Sequence, residues 1–153
     1  MDIMTAKFTA CCFSLALAFP APAVAAEAPI GQIKTETGSV SVERGGTAKP
    51  LAIGDHVFEA DTIVTADGTV GITFADNSMM SLGPNSRLSL DQFNFNTTTQ
   101  NGVFNSSLKK GTLAVKSGQI VRQTPEAMHV RTPAALLGVR GTEFAVSADG
   151  QSQ

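Results

Sequence analysis

Residues 62–90 read TIVTADGTVGITFADNSMMSLGPNSRLSL, and the rhythm of this stretch sets the fold class. Thr62 to Thr65 is a short β-branched run stopped by Asp67-Gly68, a pair that tolerates the positive φ of a tight hairpin. Thr69 to Phe74 places Val70, Ile72 and Phe74 on one face. Asp76-Asn77 turns the chain, Met80 and Leu82 share a face, and Gly83-Pro84-Asn85 ends that run. Leu88 and Leu90 continue the alternation. Apolar residues at period two, broken by turns about every ten residues, are the sign of an all-β domain.

The pattern extends both ways. Towards the C-terminus, Phe93 and Phe95 fall on the opposite parity from Leu88 and Leu90. A period of two cannot change face without an extra residue, so a β-bulge is expected near Asp91 to Phe93. Asn94 to Gly102 is polar and reads as an exposed hairpin tip that returns through Val103 to Leu108. Gly111 is expected to turn the chain into Thr112 to Lys116, with Leu113 and Val115 inward. Gln119 to Glu126 is a looser stretch. His129 to Val146 holds two more strands around Ala134 to Gly138, the one run read as able to hold a helical turn, with Pro133 placed for its start and Gly138 for its end. Towards the N-terminus, Ser39 to Val42 alternates, Gly45-Gly46 turns, and Lys49 to Ile53 is stopped by Gly54-Asp55. The expected architecture is a compact β-solenoid-like stack of short antiparallel strands and hairpins, with a β-sandwich, barrel or roll as the alternative.

The start of the chain reads as a targeting segment. Phe8 to Phe19 is an apolar run of about a dozen residues, the length of a signal-peptide core and short of the roughly 20 needed to span a bilayer. Ala23-Val24-Ala25 offers a cleavage site. The expected division is a leader at 1–26, a short flexible lead-in at 27–32, the β domain at 33–147 and a polar tail at 148–153. No membrane span is expected after cleavage, and the expected location is periplasmic or secreted. Cys11 and Cys12, the two cysteines of the chain, both lie in the leader, so no disulfide is expected in the domain.

Chemistry is sparse. Net charge is −2, and no concentrated basic face argues for nucleic acid. His56 and His129 lack a zinc-ligand spacing and read as strand-surface residues. Asp55, Asp61, Asp67 and Asp76 each adjoin a turn, where such side chains usually bond their own backbone. No nucleophile elbow or phosphate-binding glycine motif is present, and the chain has no Trp or Tyr to stack on sugars. No catalytic residue, cofactor or metal is expected, and the chain reads as a non-enzyme.

The C-terminal third carries the most specific pattern. Val130-Arg131-Thr132-Pro133-Ala134 and Val139-Arg140-Gly141-Thr142-Glu143-Phe144 resemble the signature of the FecR-type domain family. Earlier positions agree in order: Gly38-Ser39-Val40, Leu51-Ala52-Ile53-Gly54-Asp55, Asp61-Thr62-Ile63-Val64-Thr65, Phe74-Ala75-Asp76-Asn77-Ser78, Leu82-Gly83-Pro84-Asn85-Ser86 and Lys110-Gly111-Thr112-Leu113. The resemblance spans Gly31 to Val146. It implies a periplasmic sensory domain that passes a signal from the plug of an outer-membrane receptor to a regulator. The chain shows no anti-sigma segment and no spanning helix, so a stand-alone exported form is expected. It stops soon after Val146, where relatives continue, and an open sheet edge is expected there.

Two readings of the signature stay open. In one, Thr132-Pro133 ends a strand, Gly138 and Gly141 return the chain, and a part-buried Arg140 latches onto carbonyl oxygens. In the other, Arg131, Thr132, Pro133, Val139, Arg140, Gly141, Thr142 and Phe144 form an edge that docks an envelope protein partner by strand addition. The function expected is an envelope protein-interaction module. The alternatives are a cell-wall or polysaccharide-binding or structural module, or a small enzyme.

Overall fold

The structure, a computed structural model, describes residues 25–150. The expected leader falls outside the described residues, save for its last two. The strands are β1 (Gly31–Thr37), β2 (Val40–Arg44), β3 (Thr47–Pro50), β4 (His56–Val57), β5 (Thr62–Thr65), β6 (Thr69–Phe74), β7 (Met79–Leu82), β8 (Arg87–Phe95), β9 (Gly102–Lys116), β10 (Met128–Arg131), β11 (Leu136–Gly138) and β12 (Glu143–Ala148), with one short helix α1 (Gln119–Gln123). The domain is therefore all-β. Its strands form a curled half-barrel ordered β3-β2-β5-β8-β9-β7-β6-β1-β4, with β10 and β12 added beside β9 and β11 beside β10.

Pairing registers explain the curl. β1 pairs with β6 while β2 pairs with β5, and β7 pairs with β6 while β8 pairs with β5. Each of β1–β2, β5–β6 and β7–β8 is thus one long path bent at a corner, and β9 bends without a break. The corners fall at Gly38, at Ala66 to Gly68, at Gly83 to Ser86 and at Gly111, and they stack side by side. Ala66 N–H donates to Ser39 O at 3.0 Å, Asn85 N–H to Ala66 O at 2.6 Å and Gly83 N–H to Thr112 O at 3.0 Å. The buried hydroxyls of Thr65 and Ser86 join the same line: Thr65 Oγ1 donates to Gly83 O at 2.7 Å, and Ser86 Oγ accepts from Thr112 N at 3.0 Å. The expected all-β class holds, and the sheet folds along this row of corners to enclose a core between its two halves.

Asp67-Gly68 is consequently not a hairpin. It carries the chain from one half of the folded sheet to the other. Gly68 is needed for close approach, since a Cβ there would lie 1.9 Å from Thr37 O. Gly111 likewise does not turn the chain back but bends β9 in place, with φ +94°.

Alternation holds along the arms. Val70, Ile72 and Phe74 are buried, as are Met80, Leu82, Leu88 and Leu90. The expected bulge is present: the β8–β9 register shifts between Leu90 and Gln92. It turns Phe93 inward, where its ring meets Phe104 edge-on at 5.0 Å between centroids, and Phe104 meets Phe74 at 4.7 Å.

Three expectations are corrected. The lead-in is fixed from Ile30, which is buried and donates to Val57 O, and β1 already runs through Gly31 and Gln32. The C-terminal strand runs to Ala148, which is buried. The helical turn lies at Gln119–Gln123, whereas Leu136–Gly138 is a strand. The reason is topological. β10 runs parallel to β9, and a parallel neighbour needs a crossover of about a dozen residues instead of a tight turn. The segment 117–127 supplies it, and α1 buries Ile120 and Val121 on the way.

Candidate functional site

The signature residues fall into five settings. Arg131 ends β10 and is exposed. Thr132 closes the β10–β11 hairpin: its N–H donates to Ala135 O at 2.7 Å, and its Oγ1 accepts from Ala135 N at 3.0 Å. Pro133 occupies that turn. Val139 is 2% exposed and anchors the following loop in the core. Arg140, Gly141 and Thr142 form the loop that leads to β12, and Ser117 holds it by donating from N to Thr142 O at 2.9 Å and from Oγ to Gly141 O at 2.5 Å. Phe144 lies half-buried against the core.

Arg140 is not the expected buried latch. Its side chain is 73% exposed and its guanidinium pairs with Glu126, itself 71% exposed. Both heads stay hydrated, and exposed pairs contribute about 0–1 kcal/mol. Arg140→Ala is expected to change stability by less than ~1 kcal/mol in urea unfolding.

Two depressions adjoin the signature. Arg140, Gly141 and Thr142 line one of about 520 Å³ together with Val121, Pro125 and Glu126. Arg131 lines a different one of about 720 Å³, on the outer face of β8, β9 and β10. The structure therefore does not bring the two arginines into one site. The second groove was not foreseen. Its residues — Asp91, Gln92, Asn105, Ser107 and Lys109 among them — sit at outward positions around the bulge, which is the only sequence signal that marks them.

Backbone edges are the other feature on offer. Among the described residues four strands end the sheet: β3, β4, β11 and β12. Edges invite pairing with other chains and are commonly blunted by brevity, Lys or Pro. β3 carries Lys49 and Pro50, β4 has 2 residues and β11 has 3. β12 has 6 residues, with neither Lys nor Pro, and among the described residues it pairs only with β9. The bond from Ser117 N to Thr142 O fixes the ladder phase. With the register Phe144↔Val115 and Val146↔Leu113, the groups of Phe144, Val146 and Ala148 face β9. Those of Glu143, Ala145 and Ser147 face outward, by the alternation of an antiparallel ladder.

The acidic turn residues bond inward to the chain. Asp55 accepts from Ala52 N, Asp67 from Ser39 N, and Asp76 from Ser78 N and Oγ. Asp61 is fully buried and accepts from Arg44 Nε at 2.7 Å, Arg44 Nη2 at 2.6 Å and Phe58 N at 2.8 Å. The hydrogen bonds to Asp61 push the Arg44 pKa up from an already high value, so the guanidinium stays charged at any accessible pH. Among the described residues no three His, Cys, Asp or Glu side chains gather to hold a metal ion, and no helix is long and apolar enough to cross a membrane.

A sheet folded along a row of corners, with one unblunted edge, makes an all-β module that presents backbone and hydrogen-bonding side chains. The family model described as FecR protein matches residues 61–153, more than half of the sequence, and the chain belongs to that family. The match begins at Asp61, so β1 to β4 lie before it. No curated protein and no solved structure gives a match.

Proposed function

We propose that this chain is a non-catalytic sensory module of the bacterial envelope, periplasmic or secreted, that binds a protein partner by strand addition. FecR membership supports a role in receptor-linked signalling, and the partner in view is a receptor plug or a regulator. The observation that carries the binding mode is the free edge of β12, which directly follows the Arg140-Gly141-Thr142 loop. An added strand would bond to Glu143, Ala145 and Ser147 and lay its side chains beside Phe144 and Val146, which are only half covered. Main-chain bonds would give affinity and these alternate contacts selectivity.

Ala145→Pro tests this reading. Proline removes an outward N–H but no bond to β9, and edge strands tolerate it. The variant is expected to keep its melting temperature within about 4 °C, the shift that roughly 1 kcal/mol produces. It is expected to lose roughly two- to tenfold in affinity for a purified receptor plug or regulator domain, as one lost hydrogen bond of about 0.5–1.5 kcal/mol implies. Unchanged affinity for a partner that binds the wild type would refute strand addition at β12.

A further inference from the structure

We infer that the groove on the outer face of β8, β9 and β10 is a binding site for an acidic saccharide. Its volume of about 720 Å³ lies within the 300–1,000 Å³ typical of ligand sites. What it offers is side chains only. β9 is paired on both flanks here, with β8 on one side and β10 on the other, so the floor has no free backbone for a peptide strand.

The floor is organised by hydrogen bonds. The Asp91 carboxylate accepts from Ser89 Oγ at 2.8 Å and from Ser107 Oγ, which fixes its plane. Asn105 Nδ2 donates to Gln92 Oε1 at 2.9 Å. Glu59, at the rim, accepts from Phe93 N at 2.8 Å. Oriented planar groups of this kind, each with lone pairs or N–H groups to spare, match vicinal hydroxyls, which donate and accept at once. Leu136, which is 60% exposed, gives the one large apolar contact, enough to cover part of a sugar ring.

The groove sets two cations against two carboxylates, so its formal charge is balanced, and the groups left without a charged partner decide what a ligand meets. Lys109 and Arg131 both line the groove and are exposed. Neither forms an ion pair among the described residues, where the cations that do are Arg44, Arg87 and Arg140. The two groove carboxylates already accept bonds from the protein. A ligand carboxylate would therefore find partners in Lys109 and in the fork of Arg131, which suits bidentate recognition.

Calorimetric titration of the domain with trigalacturonate, with neutral galactotriose and with a hexaglutamate peptide tests the inference. Trigalacturonate is expected to bind about tenfold or more tightly than galactotriose, the value of one charge-assisted contact. Arg131→Gln should remove that preference, Asp91→Asn should weaken both saccharides, and Arg140→Gln should change neither. Circular dichroism and melting of each variant confirm that it folds. Absence of saccharide binding at millimolar concentration, equal binding of the two saccharides, indifference to Arg131→Gln, or preferential binding of hexaglutamate would each overturn it.

Discussion

Gly111→Ala is expected to lower stability by about 3 kcal/mol or more, among the largest losses a single methyl group can cause. Two effects combine. Gly111 has φ +94°, where a side chain is strained. Its Cβ would also lie 2.0 Å from Ser86 Oγ and 2.5 Å from Ser86 Cα. Ser86 cannot move aside, because it is 1% exposed and its N–H donates to Thr65 Oγ1 at 2.9 Å. The corner of β9 would separate from the corner between β7 and β8, and the fold line would open. Thermal unfolding should show a melting temperature lower by about 10 °C or more. Gly138→Ala is the control. A Cβ at Gly138 meets nothing within 4 Å, so this variant should melt as the wild type does.

Asp61→Ala is expected to lower stability by about 2 kcal/mol, from losing a charge-assisted hydrogen bond to Phe58 N–H and an ion pair to an arginine that is 47% exposed. The Asp61 side chain is fully buried, and it joins β2, through Arg44, to the chain entering β5. Its loss leaves Phe58 N–H without its acceptor and Arg44 without its counter-charge. Arg44 also stacks over the Phe58 ring at 4.4 Å, so the guanidinium is held on two sides. A double-mutant cycle with Arg44→Ala in urea should give a coupling above about 1 kcal/mol, against nearly zero for the more exposed Arg87–Glu43 pair.

Local pattern carried much of this architecture. Period-two burial in β6, β7 and β8, the bulge after Leu90 and the long polar tip between β8 and β9 were all legible from residue order alone. The corners were legible as turns but not as folds of a continuous path. Asp67-Gly68 looks the same locally whether its flanking runs pair with each other or continue along two halves of one sheet. The parallel pairing of β10 with β9 was hidden for the same reason, and with it the place of α1. Three of the eight motifs that resemble the family sit at the corners, those holding Gly38, Ser86 and Gly111, where backbone packs closely against neighbouring residues. They identify the fold more than a binding surface.

The site was less legible. Arg140 looks like a buried residue between Val139 and Gly141, yet the loop turns it outward to Glu126. The groove residues lie on β8, β9, β10 and β11 and in the loop before β5, and no local pattern links them. The open edge expected near Val146 came from the family resemblance, since what pairs with β12 is not recorded in its own residues.

Residue-resolved amide hydrogen exchange on the free domain tests the open edge most directly. Phe144, Val146 and Ala148 should be protected by their bonds to β9, while Glu143, Ala145 and Ser147 between them exchange at nearly solvent rates. Uniform protection along all six residues in the free monomer would mean that β12 is already covered and has no edge to give a partner.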